Sequence, residues 1–234
     1  MRKAKSKQKT PQDIQDEILF KMSADKSFKL ASDFSMFLLK LNKTSNKKMD
    51  FQKVTIKTAK ILDALKIPYA ITGGYAVSVW GRPRSTLDID IIVQLFYPKL
   101  NALANALDNF SKLGQIDRKM MEEAISRKGE FNFIHVETGI KVDFWIKTDL
   151  FAKQELKRRR AKIINRKKVY FVSPEDLILS KLNWHKKSGS DYQLKDIDSV
   201  IKRQKNLNWK YIKKWAKIQS TANILVPLTK KEVL

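Results

Sequence analysis

Two adjacent glycines, Gly73-Gly74, separate a short apolar run from a segment that carries two aspartates. A glycine has no Cβ, so paired glycines allow a sharp turn and let the backbone approach a ligand closely. We therefore expect residues 69–93 to form a strand, this turn, a short helix over residues 75–80, a loop and a second strand. Free N–H groups at the start of that helix would suit a phosphate.

Apolar and acidic residues alternate in the second strand, over residues 87–91. On a strand, this alternation places the carboxylates of Asp88 and Asp90 on one face, only roughly 6.6 Å apart along the backbone. Like charges this close are unfavourable without a cation, and oxygen-only ligands suit Mg²⁺ or Mn²⁺. A phosphate-binding turn beside a divalent-metal site is what a metal-bound nucleoside triphosphate requires. The opposite, aliphatic face would hold Leu87, Ile89 and Ile91.

The order Gly73-Gly74, thirteen residues, then Asp88-Ile89-Asp90 resembles the signature of the DNA polymerase β-type nucleotidyltransferases. The Gly-Gly form, with Arg82 and Thr86 ahead of the aspartates, resembles the minimal toxin-type (AbiEii-like) branch of that superfamily. The resemblance covers about residues 51–205. It implies an α+β fold with a polymerase β-like nucleotidyltransferase core, which is a short mixed sheet with flanking helices.

That superfamily expects a third carboxylate on a later strand, and Asp143 stands between apolar neighbours in such a segment. We expect antiparallel pairing beside the Asp88 strand to bring Asp143 to the same site. The resemblance implies that the three aspartates bind the metal and that Asp143 helps to deprotonate an attacking hydroxyl. Lys181 and Asp196 resemble an additional lysine and aspartate of the toxin branch. The expected catalytic set is Asp88, Asp90, Asp143, Lys181 and Asp196.

The loop before the aspartates offers further phosphate ligands. The planar fork of an arginine matches phosphate oxygens well, although Arg82 and Arg84 could equally belong to a solvated loop. Lys181, on a largely apolar helix, either reaches the triphosphate or extends to water. Asp196 has an alternative as a salt-bridge partner of Lys195 or Lys202. The expected nucleotide-binding residues are Gly73, Gly74, Arg82, Arg84 and Thr86.

The formal net charge is +24, from 48 basic and 24 acidic residues. Such an excess of lysine and arginine favours a polyanionic partner, with general surface solubility as the alternative. Residues 153–168 hold nine basic residues and one acidic residue. Within them Arg158, Arg159 and Arg160 form either an RNA-backbone patch or a solvated turn.

Several classes of site are disfavoured by composition. The chain has no cysteine, which excludes a disulfide framework and a thiolate metal site, and it has only two histidines, which disfavours a zinc site. We expect His135 to be a packed strand histidine, and Trp209, Tyr211 and Trp215 to be mainly core aromatics. No apolar stretch approaches the roughly 20 residues of a membrane span. We expect no membrane partner and a cytoplasmic location.

The chain divides into four parts by pattern. Residues 1–11 are basic and almost free of apolar residues, which predicts a disordered tail. Residues 12–50 are predicted as a helical hairpin with a linker, which could pack on the core, dimerise or hold a partner. Residues 51–172 form the predicted core. Residues 173–234 form a helical C-terminal part, which begins at the Ser173 cap with Pro174 in the first helical position.

Helical and strand periodicity adds detail to these parts. Helices are expected over residues 12–22, 26–43 and 51–66, and a hairpin over residues 131–136 and 140–146, with Asp143 on its second strand.

Together these patterns predict transfer of a nucleoside monophosphate from a triphosphate to an acceptor hydroxyl. The toxin-type resemblance suggests RNA as acceptor, specifically the 3′ end of tRNA, and an antitoxin partner. Transfer to a small molecule, as in antibiotic-modifying relatives, or to a protein side chain is the alternative enzyme. A non-catalytic RNA-binding module is the alternative from another class.

Overall fold

A computed structural model describes residues 17–41 and 51–229, so the predicted tail, the linker and residues 12–16 lie outside the described residues. Residues 17–20 are helical. The helices that follow are α1 (Ala24–Leu41), α2 (Phe51–Ala64), α3 (Gly73–Trp80), α4 (Tyr97–Phe110), α5 (Arg118–Arg127), α6 (Leu150–Lys157), α7 (Pro174–Ser188), α8 (Asp191–Arg203), α9 (Trp209–Ile218) and α10 (Ala222–Thr229). The strands are β1 (Tyr69–Ile71), β2 (Asp88–Val93), β3 (Glu130–His135), β4 (Ile140–Ile146), β5 (Arg160–Ile164) and β6 (Lys167–Phe171).

The strands form one mixed sheet in the order β3-β4-β2-β1-β6-β5. Strands β1 and β2 are antiparallel, and so are the β3–β4 and β5–β6 hairpins. Strand β4 runs parallel to β2, and β6 runs parallel to β1. The predicted α+β class and the β3–β4 hairpin are confirmed. The β5–β6 hairpin falls where the sequence shows mainly a charged stretch.

The predicted antiparallel pairing of the Asp143 strand with the Asp88 strand is wrong. The chain leaves β2, passes through α4 and α5, and enters the sheet again at its edge as β3. The hairpin turn then reverses the direction, so β4 occupies the inner place beside β2 in parallel.

The aliphatic face of β2 is buried as predicted, with Ile89 and Ile91 both 0% exposed. Leu87 departs from the expected face, because it precedes the strand and remains 51% exposed. Neighbouring aromatic rings continue this core, and Phe131 on β3 stacks on Phe144 of β4 at 4.8 Å between centroids.

Helix α1 packs directly on the core, which is one of the three alternatives considered for this segment. Phe28 is fully buried, and its ring lies 4.7 Å from that of Tyr75 on α3. The hydroxyl of Ser35 accepts a hydrogen bond of 3.1 Å from the backbone N–H of Thr86. At the other end of α1, Arg203 of α8 donates to the hydroxyl of Ser27 and to the carbonyl of Met22.

Helix α7 begins as the sequence predicts. The Ser173 hydroxyl accepts from the backbone N–H of Asp176 at 3.1 Å, and Pro174 occupies the first helical position. Among the described residues, none of the helices combines the length and apolarity needed to cross a bilayer.

Candidate active site

Strands β2 and β4 bring the three predicted aspartates to one face of the sheet. The parallel register places Asp90 opposite Asp143 and Asp88 opposite Lys141. Residues that face each other across paired strands point to the same side, and so do residues two apart on one strand. The carboxylates of Asp88, Asp90 and Asp143 therefore share a side of the sheet.

A lysine that the sequence reasoning missed lies among these carboxylates. Lys141 Nζ is 3.0 Å from Asp143 Oδ2 and 3.8 Å from Asp88 Oδ2. The hydrogen bond with Asp143 raises the pKa of Lys141, so the ammonium is held in its charged form. The alternation of Lys141 and Asp143 on β4 mirrors that of Asp88 and Asp90 on β2, and this pattern was the available signal.

Burial raises the pKa of both Asp88 and Asp90, and the nearby Asp143 charge raises each further. For Asp88 the opposing influence is Lys141. For Asp90 it is the indole of Trp145, whose Nε1 donates to Oδ1 at 3.4 Å, followed by the charge of Lys181. The raised pKa values mean that the assembled carboxylates favour extra positive charge.

The two glycines make room for specific side chains of the β2 segment. Gly73 has a φ of +61°, and a Cβ added there would lie 1.9 Å from Asp90 Oδ2. A Cβ added at Gly74 would lie 2.7 Å from the Cβ of Thr86. Helix α3 starts at Gly73, two residues earlier than predicted, and the N-cap residue Thr72 makes no side-chain capping bond. The first turn of α3 thus begins against the Asp90 carboxylate.

Asp196 on α8 binds two cations from distant parts of the chain. The Arg84 guanidinium donates two hydrogen bonds to the Asp196 carboxylate, of 2.9 and 3.0 Å. Lys181 Nζ lies 2.9 Å from Oδ2 of the same carboxylate. Asp196 and Lys181 are buried, at 4% and 7% exposed, and Arg84 is half-buried. The same-helix pairing considered for Asp196 is not the one formed, since Lys202 pairs with Asp198 instead.

The two loop arginines differ in how available they are to a phosphate. Arg84 is already engaged with Asp196, so a phosphate would have to compete for its fork. Arg82 is exposed, and its backbone N–H donates to the Ser199 hydroxyl at 3.3 Å.

A cavity of about 270 Å³ joins the glycine turn to α7. It is lined by Gly73, Asp90 and Lys181, three of the predicted site residues. Sequence reasoning missed the other side chains that matter here, because their positions depend on strand register and helix packing. They are Trp145, Lys147, Ser180 and Trp184.

The arginine cluster is only partly available to a partner. Arg158 pairs with Glu175 at 3.1 Å and lies over the Tyr211 ring at 3.9 Å. Arg160 also pairs with Glu175, at 3.3 Å. Arg159 lies over the ring of Tyr170 at 4.8 Å.

The buried histidine behaves as expected. His135 is 1% exposed, and its Nδ1 lies 2.9 Å from the Thr138 hydroxyl. Burial lowers its pKa. This is a packed strand histidine.

The three aspartates fit a divalent metal in donor chemistry, since they are carboxylates on one face of the sheet and oxygen ligands suit Mg²⁺. Over residues 17–41 and 51–229, no group of three or more His, Cys, Asp or Glu side chains is gathered closely enough to hold a metal ion as it stands. The Lys141 ammonium occupies the space between Asp88 and Asp143. Metal binding there would require this side chain to withdraw.

No family model matches the chain, and no curated protein matches it. Solved structures with similarity include an antigenic nucleotidyltransferase-like protein from Paracoccidioides brasiliensis, 23% identical, with a TM-score of 0.43 over 65% of this chain and 74% of that one. The antibiotic-resistance factor ANT(2'')-Ia is 15% identical, with a TM-score of 0.49 over 79% of this chain and 100% of that one. Its complex with adenylyl-2''-tobramycin gives a TM-score of 0.46 at 15% identity, over 73% and 97% of the two chains. With TM-scores below 0.5, these similarities do not assign the chain to a family.

Proposed function

We propose that this protein is a metal-dependent nucleotidyltransferase, which moves a nucleoside monophosphate from a nucleoside triphosphate to an acceptor hydroxyl and releases pyrophosphate. The observation that carries the proposal is the opposed pair Asp90 and Asp143, beside a cavity lined by Gly73 and Lys181. Opposed carboxylates next to a tight glycine turn and a lysine supply the two kinds of group that a metal-bound triphosphate needs.

Asp88, Asp90 and Asp143 would hold Mg²⁺ or Mn²⁺. When bound, the ion neutralises triphosphate charge and stabilises the attacking and leaving oxygens of an in-line displacement. The Asp143 carboxylate accepts the proton of the acceptor hydroxyl. The hydroxyl oxygen of the acceptor bonds to the α-phosphorus, and the bond from that phosphorus to pyrophosphate breaks. Lys181, held in place by Asp196, offers its ammonium to the phosphate oxygens.

The acceptor in this proposal is RNA, with the 3′ end of tRNA as the specific case. The formal net charge of +24 supports a polyanionic acceptor over a cationic small molecule. The Gly-Gly form of the turn extends the proposal to the toxin of a toxin–antitoxin system, with an antitoxin protein as partner. Since Arg158 and Arg160 are paired with Glu175, we expect Arg159 and nearby lysines to meet the RNA.

A non-catalytic RNA-binding protein is the second candidate, and one observation favours it. Lys141 supplies a cation to Asp88 and Asp143 from within the chain. If that ammonium never leaves, the carboxylates need no metal and the site has no catalytic ion.

Incubation with each labelled triphosphate, Mg²⁺ or Mn²⁺ and total RNA tests the proposal. We expect label on RNA with the intact protein and none with Asp88→Asn/Asp90→Asn. Asp198→Asn, a change of an acid outside the site, is the matched control and should transfer normally. Label on a small molecule or on protein would replace the acceptor. If no triphosphate gives any label and the aspartate variants still bind RNA, the enzyme is contradicted and the non-catalytic RNA-binding protein is supported.

A further inference from the structure

Two further cavities open beside the candidate active site and meet it at Lys147. The first, which we call the aromatic groove, has a volume of about 680 Å³ and shares Trp145, Lys147 and Trp184 with the active-site cavity. The second, the basic groove, has a volume of about 650 Å³ and shares Lys128 and Lys147 with the aromatic groove. Lys147 lines all three cavities. They therefore follow one another along the surface.

The lining of the two grooves is strongly positive. Lysines 128, 147 and 187 line the aromatic groove, where the acidic side chain is Asp149. The Asp149 carboxylate already accepts from the backbone N–H of Ala152 as the cap of α6. Among the described residues that line the basic groove, none is acidic and five are cationic. They are Lys128, Lys147, Lys153, Lys157 and Arg159. An anionic chain is complementary to such a surface, and a polycation is repelled by it.

The aromatic groove also offers ring surfaces. Trp145 and Trp184 meet edge to face at 5.9 Å between centroids, and Trp215 lies 5.2 Å from Phe151. Trp184 is 46% exposed, and the neighbouring lining residue Ile218 is 60% exposed. Exposed rings interleaved with lysines are suited to unstacked bases and their phosphates, whereas a duplex keeps its bases covered.

We propose that the aromatic and basic grooves form the acceptor track of the enzyme and take the single-stranded 3′ end of an RNA. Bases stack in the aromatic groove with Trp184 as the principal platform, and phosphates further from the end lie along the basic groove. The terminal hydroxyl passes Lys147 and enters the cavity beside Asp90. This inference rests on the proposed function for the chemistry at the end of the track.

RNA binding measured without triphosphate and in the presence of EDTA tests the track independently of catalysis. The probe is a fluorescein-labelled single-stranded RNA of about a dozen nucleotides, read by anisotropy with the full chain. We expect Lys128→Ala/Lys147→Ala to weaken binding roughly tenfold and to flatten the salt dependence between about 50 and 200 mM. Lys26→Ala/Lys57→Ala, which removes the same charge from exposed lysines outside the three cavities, should weaken it far less.

Variants of Trp184 test the role of the aromatic groove in the same binding experiment. Trp184→Ala should weaken single-strand binding roughly tenfold, and Trp184→Phe should restore most of it because a ring is retained. Circular dichroism and a melting curve identify any variant that fails to fold. Equal losses in the two lysine pairs, no effect of Trp184→Ala, or equal binding of duplex and single strand would each overturn the track.

The track and the proposed function fail in different ways. Loss of binding in the groove variants without any nucleotidyl transfer by the intact chain overturns the enzyme and keeps the groove as a single-strand site. Transfer to RNA that the groove variants leave unchanged overturns the track and keeps the enzyme.

Discussion

The Cα of Gly73 faces the carboxylate of Asp90 so closely that a Cβ there would lie 1.9 Å from Oδ2. This contact links the glycine turn to the aspartate strand, two features that lie seventeen positions apart in the sequence. It gives the first glycine a steric role that is separate from its proposed role in phosphate binding.

Gly73→Ala should therefore destabilise the fold and abolish transfer. A positive φ at a non-glycine residue and a clash with Asp90 together should cost about 3 kcal/mol in the free energy of unfolding. Gly189→Ala is the matched control, since Gly189 has a similar φ of +67° with nothing within 4 Å of its added Cβ. It should cost only about 1 kcal/mol. Equal losses in a urea titration would remove the steric role.

Asp196 should matter more for stability than either cation that it binds. Asp196→Ala leaves Arg84 and the buried ammonium of Lys181 without their shared acceptor, which should cost about 3–5 kcal/mol. Lys181→Met should cost clearly less, because Asp196 keeps Arg84 and the aliphatic stem is replaced. Chemical denaturation of both variants measures the difference. If Lys181→Met is the more destabilising, Asp196 does not organise the cluster.

Lys181→Met also tests whether Lys181 takes part in nucleotidyl transfer. In the proposed enzyme, Lys181→Met should lower nucleotidyl transfer at least tenfold while leaving the fold intact. Titration of the triphosphate checks whether the loss lies in KM, in kcat or in both.

Lys141 and a divalent ion should compete for the same carboxylates. Lys141→Met removes the internal cation, so the variant without metal should lose roughly 1 kcal/mol of stability. Millimolar Mg²⁺ should then raise the Tm of the variant more than that of the unmodified chain. Lys29→Met, which breaks the exposed pair with Asp33, is the control and should show an unchanged response to Mg²⁺. A smaller Mg²⁺ response in Lys141→Met than in the unmodified chain would contradict the competition.

Glu155 should make stability depend on pH. Burial raises its pKa to about 7 from an ordinary 4.5, while the charge of Lys147 and a hydrogen bond from Ser180 oppose the shift. Between those pH values the folded chain holds a proton that the unfolded chain has lost, so rising pH lowers the free energy of unfolding. The loss across this window should be about 3 kcal/mol.

Glu155→Gln should lack that loss, because an amide keeps an acceptor for Ser180 and carries no charge. We expect the variant to gain stability relative to the unmodified chain as the pH is raised from 4 to 8 in parallel urea titrations, about 3 kcal/mol in all. Glu123→Gln, at an exposed position on α5, controls for the removal of one acid. A difference that stays constant with pH would show that Glu155 ionises normally.

Local patterns in the sequence predicted much of this molecule because they act over a few residues. The alternation around Asp88 and Asp90 sets the buried face of β2, and Ser173 with Pro174 sets the start of α7. Neither pattern carries information about which strand lies alongside. The direction of β4 depends on where β3 enters the sheet, so the parallel pairing was missed.

The remaining gaps concern contacts between distant residues. Arg84 and Asp196 are 112 positions apart, and Arg158, which follows α6, pairs with Glu175 of α7, 17 positions away. Charges alone gave no way to choose among 48 basic residues. For the same reason, the sequence did not single out Lys141 or Lys147. In the structure Lys141 lies among the aspartates, and Lys147 lines all three cavities.

The hydrogen bond from the backbone N–H of Thr86 to the Ser35 hydroxyl connects the loop over residues 81–87 to helix α1. Any opening that lifts α1 removes this acceptor and takes Phe28 away from Tyr75 in the same event. Amides of α1 and of the loop over residues 81–87 should then exchange with solvent as one cooperative unit. The free energy of that opening sets the fraction of molecules in which the loop between the glycine turn and the aspartates is unfolded.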